Sequence, residues 1–115
     1  MRTDKLLYGA AYYDEYMPYD RIETDFQMMK AAGMNVIRIA ESTWSTWEPQ
    51  EGLFDFTHLT HMLDCATKYG LDVIVGTPTY AIPSWLANKA DDMLALTHDG
   101  PSIYGHRQNM DITNP

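Results

Sequence analysis

Ala31-Ala32-Gly33-Met34-Asn35-Val36-Ile37 and Lys68-Tyr69-Gly70-Leu71-Asp72-Val73-Ile74 follow one plan: a helix end, a glycine, an apolar residue, Asn or Asp, then a β-branched run. Gly33 and Gly70 lie 37 residues apart. A glycine after the last helical turn takes the left-handed conformation that ends a helix, with no Cβ to oppose it. The runs that follow, Val36-Ile37-Arg38-Ile39 and Val73-Ile74-Val75, suit buried strands.

Upstream of each glycine the spacing is helical. Ile22, Phe26 and Met29 fall at i, i+4 and i+7, and Leu59, Met62, Leu63 and Ala66 at i, i+3, i+4 and i+7. Glu23, Asp25 and Lys30 fill the polar gaps of the first helix, Asp64 and Lys68 those of the second. Pro18 and Asp20 mark the first helix start, and Thr57 is the expected cap of the second. A further strand is expected at Leu6-Leu7-Tyr8-Gly9-Ala10.

The order is strand, helix, strand, helix, strand, which means right-handed crossovers and a parallel sheet. The spacing fits a (β/α)8 barrel, in which roughly 250 residues make eight units of about 31 each before loop insertions. The rival is a doubly wound sheet, marked by a glycine-rich loop after its first strand. That place holds Ala11-Tyr12-Tyr13-Asp14-Glu15-Tyr16, which is bulky and acidic. The expected class is therefore α/β, with about three βα units from the N-terminal portion of a (β/α)8 TIM barrel. Thr77–Pro115 then runs 39 residues without a clear return helix. It carries Pro78, Pro83, Pro101, an Asp99-Gly100 turn and a short helical candidate over residues 84–89. Three parallel strands cannot close a barrel and leave both edges open. Residues 1–115 are thus expected to be one partial catalytic barrel, the beginning of a longer protein.

Composition narrows the function. Apolar residues are 45% and charged residues 21%, average for a soluble globular chain. No apolar run approaches the length of a membrane span, and Met1-Arg2-Thr3-Asp4-Lys5 is not followed by the apolar core of a signal peptide. Sixteen acids against eight bases give a net charge of −8, which repels nucleic acid. The single cysteine, Cys65, excludes an internal disulfide and a multi-cysteine zinc site; a buried, reduced thiol and a cytoplasmic protein are expected.

In such barrels the active site lies at the C-terminal ends of the strands. Tyr12, Tyr13, Asp14, Glu15 and Tyr16 follow strand one; Glu41, Trp44, Trp47 and Glu48 follow strand two; Tyr80, Trp85, His98, Tyr104, His106 and Arg107 follow strand three. An aromatic and acidic rim suits sugars, whose C–H faces stack on rings and whose hydroxyls bond carboxylates and guanidinium groups. Strand parity puts Val36, Arg38 and Ala40 on one face and Ile37 and Ile39 on the other. Arg38 is then expected to point into the barrel near its catalytic end, where a buried guanidinium needs carboxylate partners. His58 and His61, three apart on a helix, lack a third metal ligand nearby and read as a solvated pair. No nucleophile elbow, zinc-protease motif or phosphate loop is present.

Four ordered stretches resemble glycoside hydrolase family 42, the β-galactosidases. They are Tyr8-Gly9-Ala10-Ala11-Tyr12-Tyr13-Asp14-Glu15-Tyr16-Met17-Pro18; Asn35-Val36-Ile37-Arg38-Ile39-Ala40-Glu41-Ser42-Thr43-Trp44-Ser45, continuing through Trp47-Glu48-Pro49 and Gly52-Leu53-Phe54-Asp55-Phe56; Thr77-Pro78-Thr79-Tyr80-Ala81-Ile82-Pro83-Ser84-Trp85-Leu86; and Gly105-His106-Arg107-Gln108. The resemblance covers nearly the whole chain. It implies a (β/α)8 catalytic barrel, retaining hydrolysis of terminal β-galactosides, no cofactor, and a homo-oligomer, usually a trimer. It also implies that the acid/base and nucleophile glutamates lie beyond Pro115, so that this chain holds neither. Arg107 maps onto the family's substrate-contacting arginine, and Arg38 and Glu41 map beside the galactose subsite. Many members carry a zinc-binding cysteine four residues after the motif arginine. Asp111 stands there in this sequence, so no structural zinc is expected. Two other readings remain beside this one: another retaining barrel glycosidase, and a non-catalytic sugar-binding or scaffold remnant.

Overall fold

The computed structural model describes residues 4–17, 20–89, 92–104, 110, 111 and 113. Contacts divide the chain into two compact units, Met1–Ala40 with Phe56–Gly76, and Glu41–Asp55 with Thr77–Pro115.

The first unit is the parallel α/β layer that the repeat predicts. Strand β1 (Gly9–Ala11), helix α1 (Ile22–Ala31) and strand β2 (Val36–Ile39) come first; after the short helix α2 (Trp44–Trp47) of the second unit follow helix α3 (Thr57–Tyr69) and strand β3 (Asp72–Val75). The sheet order is β1-β2-β3 and both pairings are parallel. Register aligns Ala11, Arg38 and Ile74 on one face, and Ala10, Ile37 and Val73 on the other. Helices α1 and α3 pack together and α3 packs on β3. Phe26, Ile37, Ile39, Met62 and Ala66 are buried between helices and sheet. Arg38 and Ile74, on the opposite face, are exposed. Gly33 and Gly70 have φ of +80° and +66°, the left-handed helix ends expected of them.

Three expectations need correction. The first strand begins at Gly9, not Leu6. Leu6 and Tyr8 are held by a side chain instead: Asn35 Nδ2 donates to Leu6 O (2.8 Å), and its Oδ1 accepts from Tyr8 N (2.9 Å). Thr57 is the first helical residue of α3 rather than its cap, which is Phe56 and makes no side-chain capping bond. Asp25, set by the helical spacing in a polar gap of the first helix rather than in its apolar stripe, is nevertheless buried beneath the Tyr12 hydroxyl (2.9 Å) and pairs with Arg21 (2.7 Å). At the start of α1, Asp20 does accept from Ile22 N (3.2 Å); Pro18 lies outside the described residues.

The second unit is loop-rich. It contains α2, a short helix α4 (Ser84–Ala87) where one was expected, and an antiparallel ribbon of β4 (Leu96–Thr97) and β5 (Gly100–Pro101). The Asp99-Gly100 turn closes that ribbon, with Gly100 at φ +119°. Thr97 Oγ1 donates to Gly100 O (2.7 Å) and accepts from Asp99 N (3.3 Å).

Candidate functional site

Strand β2 ends in a constrained bend. Ala40 has φ +83°, the only positive φ at a non-glycine among the described residues, and its methyl is buried. The left-handed region costs an L-residue roughly 1–2 kcal/mol. Thr43, also buried, receives the amides of Thr46 and Trp47 on its carbonyl (3.0 and 2.9 Å), which starts α2.

Glu48 follows α2 and is buried (8% exposed). Its Oε2 accepts from Trp44 Nε1 (2.7 Å) and its Oε1 from Gly52 N (2.8 Å). Its backbone carbonyl accepts from Trp85 Nε1 (2.8 Å) on α4. The Trp44 indole, and then the Gly52 amide, hold the Glu48 carboxyl below the usual carboxylate range. Trp44, Trp47 and Trp85 are each half-buried. The segment before α4 is fixed by buried Ile82 and Pro83, and Tyr104 donates its hydroxyl to Ile82 O (3.3 Å). The rim residues that sequence assigns to the ends of strands two and three thus include a connected group in this unit.

The loop after β1 forms a second cluster, in the first unit. Residues Asp14–Tyr16 make one 3₁₀ turn. Asp14 Oδ2 lies 2.7 Å from His58 Nε2 on α3. Its Oδ1, and Glu15 Oε1, are sealed from solvent without a hydrogen-bond donor among the described residues. Burial, reinforced by the Asp14 charge, pushes the Glu15 carboxyl above its usual range. An open cleft of about 350 Å³ lies against Asp14, Glu15, Asp20, His58 and His61. His58 is therefore partnered, not solvated as expected, while His61 is exposed. Tyr12, assigned to the rim, is core: its ring meets Phe26 edge-on (5.4 Å, 68°), and burial and the Asp25 carboxylate keep its hydroxyl protonated far above the usual phenol range. Cys65 is buried, as expected, with its thiol 3.7 Å from Glu23.

Of the assigned substrate-binding residues, Arg38 projects from the face of β2 opposite the helices, as strand parity requires. Glu41 is half-buried in the turn after Ala40. Arg107 lies outside the described residues, as does His106. Asp111, at the family's zinc-cysteine position, has its Oδ1 committed to Thr113 N (2.9 Å) and Thr113 Oγ1 (2.6 Å). That carboxylate does not fit a thiolate cluster, and among the described residues no group of three His, Cys, Asp or Glu could hold a metal. No described helix is long and apolar enough to cross a membrane.

Sequence reasoning placed Glu48 on the rim but not at the centre of a hydrogen-bond network. The signal was present: Trp44, Glu48 and Gly52 are spaced by four. The Asp14–His58 contact spans 44 residues and has no local signal.

Comparison with known proteins locates the chain. A family model described as β-galactosidase, glycoside hydrolase family 42, matches residues 11–115. A β-galactosidase of Alicyclobacillus acidocaldarius is 35% identical over 112 residues, covering 95% of this chain and 16% of that protein. The crystal structure of a cold-adapted β-galactosidase from Rahnella sp. R3 superposes with a TM-score of 0.84 at 32% identity, over 96% of this chain and 17% of the other. That of a β-galactosidase from the psychrophilic Marinomonas ef1 gives 0.80 at 36%, over 91% and 16%. The chain spans about a sixth of the length of these relatives.

Proposed function

The chain belongs to the β-galactosidases of glycoside hydrolase family 42, and we propose that it supplies the first three βα units of a retaining β-galactosidase barrel. The observation that carries this reading is the family match over residues 11–115, on a three-stranded parallel sheet whose following loops hold aromatic and acidic residues. The substrate is a terminal, non-reducing β-D-galactoside. Retention needs two carboxyl groups roughly 5–5.5 Å apart. One attacks the anomeric carbon; the other protonates the leaving oxygen and then activates water. In this reading both belong to later units, beyond Pro115. This chain contributes pocket wall: Arg107 orients galactose hydroxyls or the acid/base carboxyl by charge-assisted hydrogen bonds, and Arg38 and Glu41 stand beside the same subsite. The exposed Arg38 on the helix-free face of β2 supports its part. The reaction needs no cofactor. The complete enzyme is a cytoplasmic homotrimer in this reading, with no nucleic-acid or membrane partner.

The test is hydrolysis of p-nitrophenyl β-D-galactoside by the full-length enzyme, with the first-formed sugar anomer read by NMR. β-Galactose as first product is expected. α-Galactose overturns the retaining mechanism, and no release overturns the activity. The isolated 115 residues should be inactive, and robust turnover by them overturns the placement of both catalytic glutamates outside this chain.

A further inference from the structure

Glu48 is a buried carboxylate held by neutral donors: among the described residues no Lys, Arg or His is paired with it. Its two carboxylate oxygens each take one N–H, from Trp44 and from Gly52, and its carbonyl takes a third, from Trp85. Burying a charge is costly, and hydrogen bonds to the charged form are what make the site tolerable. A glutamine would be a poor replacement, because its amide has one acceptor atom for two inward-pointing N–H groups. The arrangement therefore asks for glutamate.

Its consequence falls on the tryptophans. Both indole N–H groups are spent internally on a single residue. The half-buried rings of Trp44 and Trp85 cannot then use those N–H groups on a ligand; what they retain is ring surface. Ring surface held in a fixed orientation suits the C–H face of a pyranose, and fixing it beforehand lowers the ordering cost of binding. We propose that Glu48 is a positioning residue: its carboxylate locks Trp44, beside Trp85 held on its backbone carbonyl, as a preorganised aromatic platform for a sugar ring of the substrate, without touching the sugar itself. The proposal rests on the glycosidase reading above.

The test uses the full-length enzyme with an aryl β-galactoside. Glu48→Gln should raise KM about 3- to 12-fold, the scale of losing one well-oriented aromatic contact, with kcat within about twofold. Trp44→Phe keeps a ring but removes the N–H that Glu48 holds, and should raise KM similarly. The double variant should be no worse than the more damaging single one, because both changes release the same ring. Unchanged KM in a folded Glu48→Gln protein overturns the proposal. So does a fall in kcat at constant KM, which would put Glu48 at the reacting atoms, or KM effects that simply multiply in the double variant. If Glu48→Gln does not fold, Trp44→Phe and Trp85→Phe decide, and unchanged KM in both overturns the platform. A wild-type enzyme inactive on galactosides overturns the glycosidase reading and this proposal together. An active wild type with unaffected variants overturns this proposal alone.

Discussion

A Cβ built on Gly9 would lie 1.7 Å from the carbonyl oxygen of Val36, on the neighbouring strand. No rotamer relieves that overlap, because both atoms belong to backbone-fixed positions. Gly9→Ala in the full-length protein should push β1 off β2 and cost about 2–3 kcal/mol, the upper part of the usual overpacking range, read as a lowered unfolding midpoint in denaturant. Glu15 gives a prediction in pH. Its carboxyl is raised above the ordinary 4.5 by burial, so the folded chain holds this proton more tightly than the unfolded chain does. The sign follows: its favourable contribution is complete below the ordinary value and is lost as pH rises through the raised one. Glu15→Gln, which cannot ionise, should flatten the decline in stability above pH 4.5 and leave the variant more stable than the parent at neutral pH. Parallel stability curves for the two proteins across that window would refute this account.

At the scale of elements, the junction of β1 and β2 depends on Asn35. Its amide continues the ladder past the end of the backbone pairing, one bond to Leu6 O and one from Tyr8 N, while its own N–H donates to Tyr8 O (2.8 Å). Asn35→Ala removes both side-chain bonds and should cost about 1–3 kcal/mol, at roughly 0.5–1.5 kcal/mol per bond. Asn35→Asp keeps the acceptor for Tyr8 N but not the donor for Leu6 O, and should fall between. Hydrogen exchange at the Tyr8 amide reads this locally: faster in Asn35→Ala, near normal in Asn35→Asp. Helix α3 is tied to its surroundings in two ways of unequal weight. The Asp14–His58 pair is largely enclosed, with Asp14 side-chain exposure of 12%. The Glu23–Lys68 pair is solvent-exposed, and such pairs are worth little.

For the whole molecule, the assignment of Arg107 to the galactose subsite is the point of greatest leverage. A surface guanidinium is worth about 0–1 kcal/mol. One bonded to a sugar hydroxyl or a catalytic carboxyl in a dry pocket should cost about 2–4 kcal/mol of transition-state binding when removed. In the full-length enzyme Arg107→Ala should therefore lower kcat/KM by roughly 30- to 1000-fold with circular dichroism and melting unchanged. Arg107→Lys should recover little, since an ammonium lacks the planar fork. A loss under about threefold, with the fold intact, would remove Arg107 from the subsite.

The period of the chain was legible from the amino acids alone. Apolar spacing of 3.6 against runs of β-branched residues, and glycines at the two left-handed helix ends, are local properties, so β2, β3, α1 and α3 and their parallel order could be read without coordinates. The place of Arg38 on the face of β2 opposite the helices followed from strand parity for the same reason, whereas its exposure there did not. Three-dimensional packing decided the rest. Tyr12, just after β1, and Glu48, in the stretch between β2 and α3, look alike in sequence as rim residues. One is a core phenol over Asp25 and the other a hub for two tryptophans. Asp25 looks like any polar helix residue until Tyr12 covers it, and Asp14 meets His58 from 44 positions away. Burial at these residues, and the contacts of Tyr12 with Asp25, Trp85 with Glu48 and Asp14 with His58, depend on where the backbone brings distant segments together, which no short window of sequence encodes.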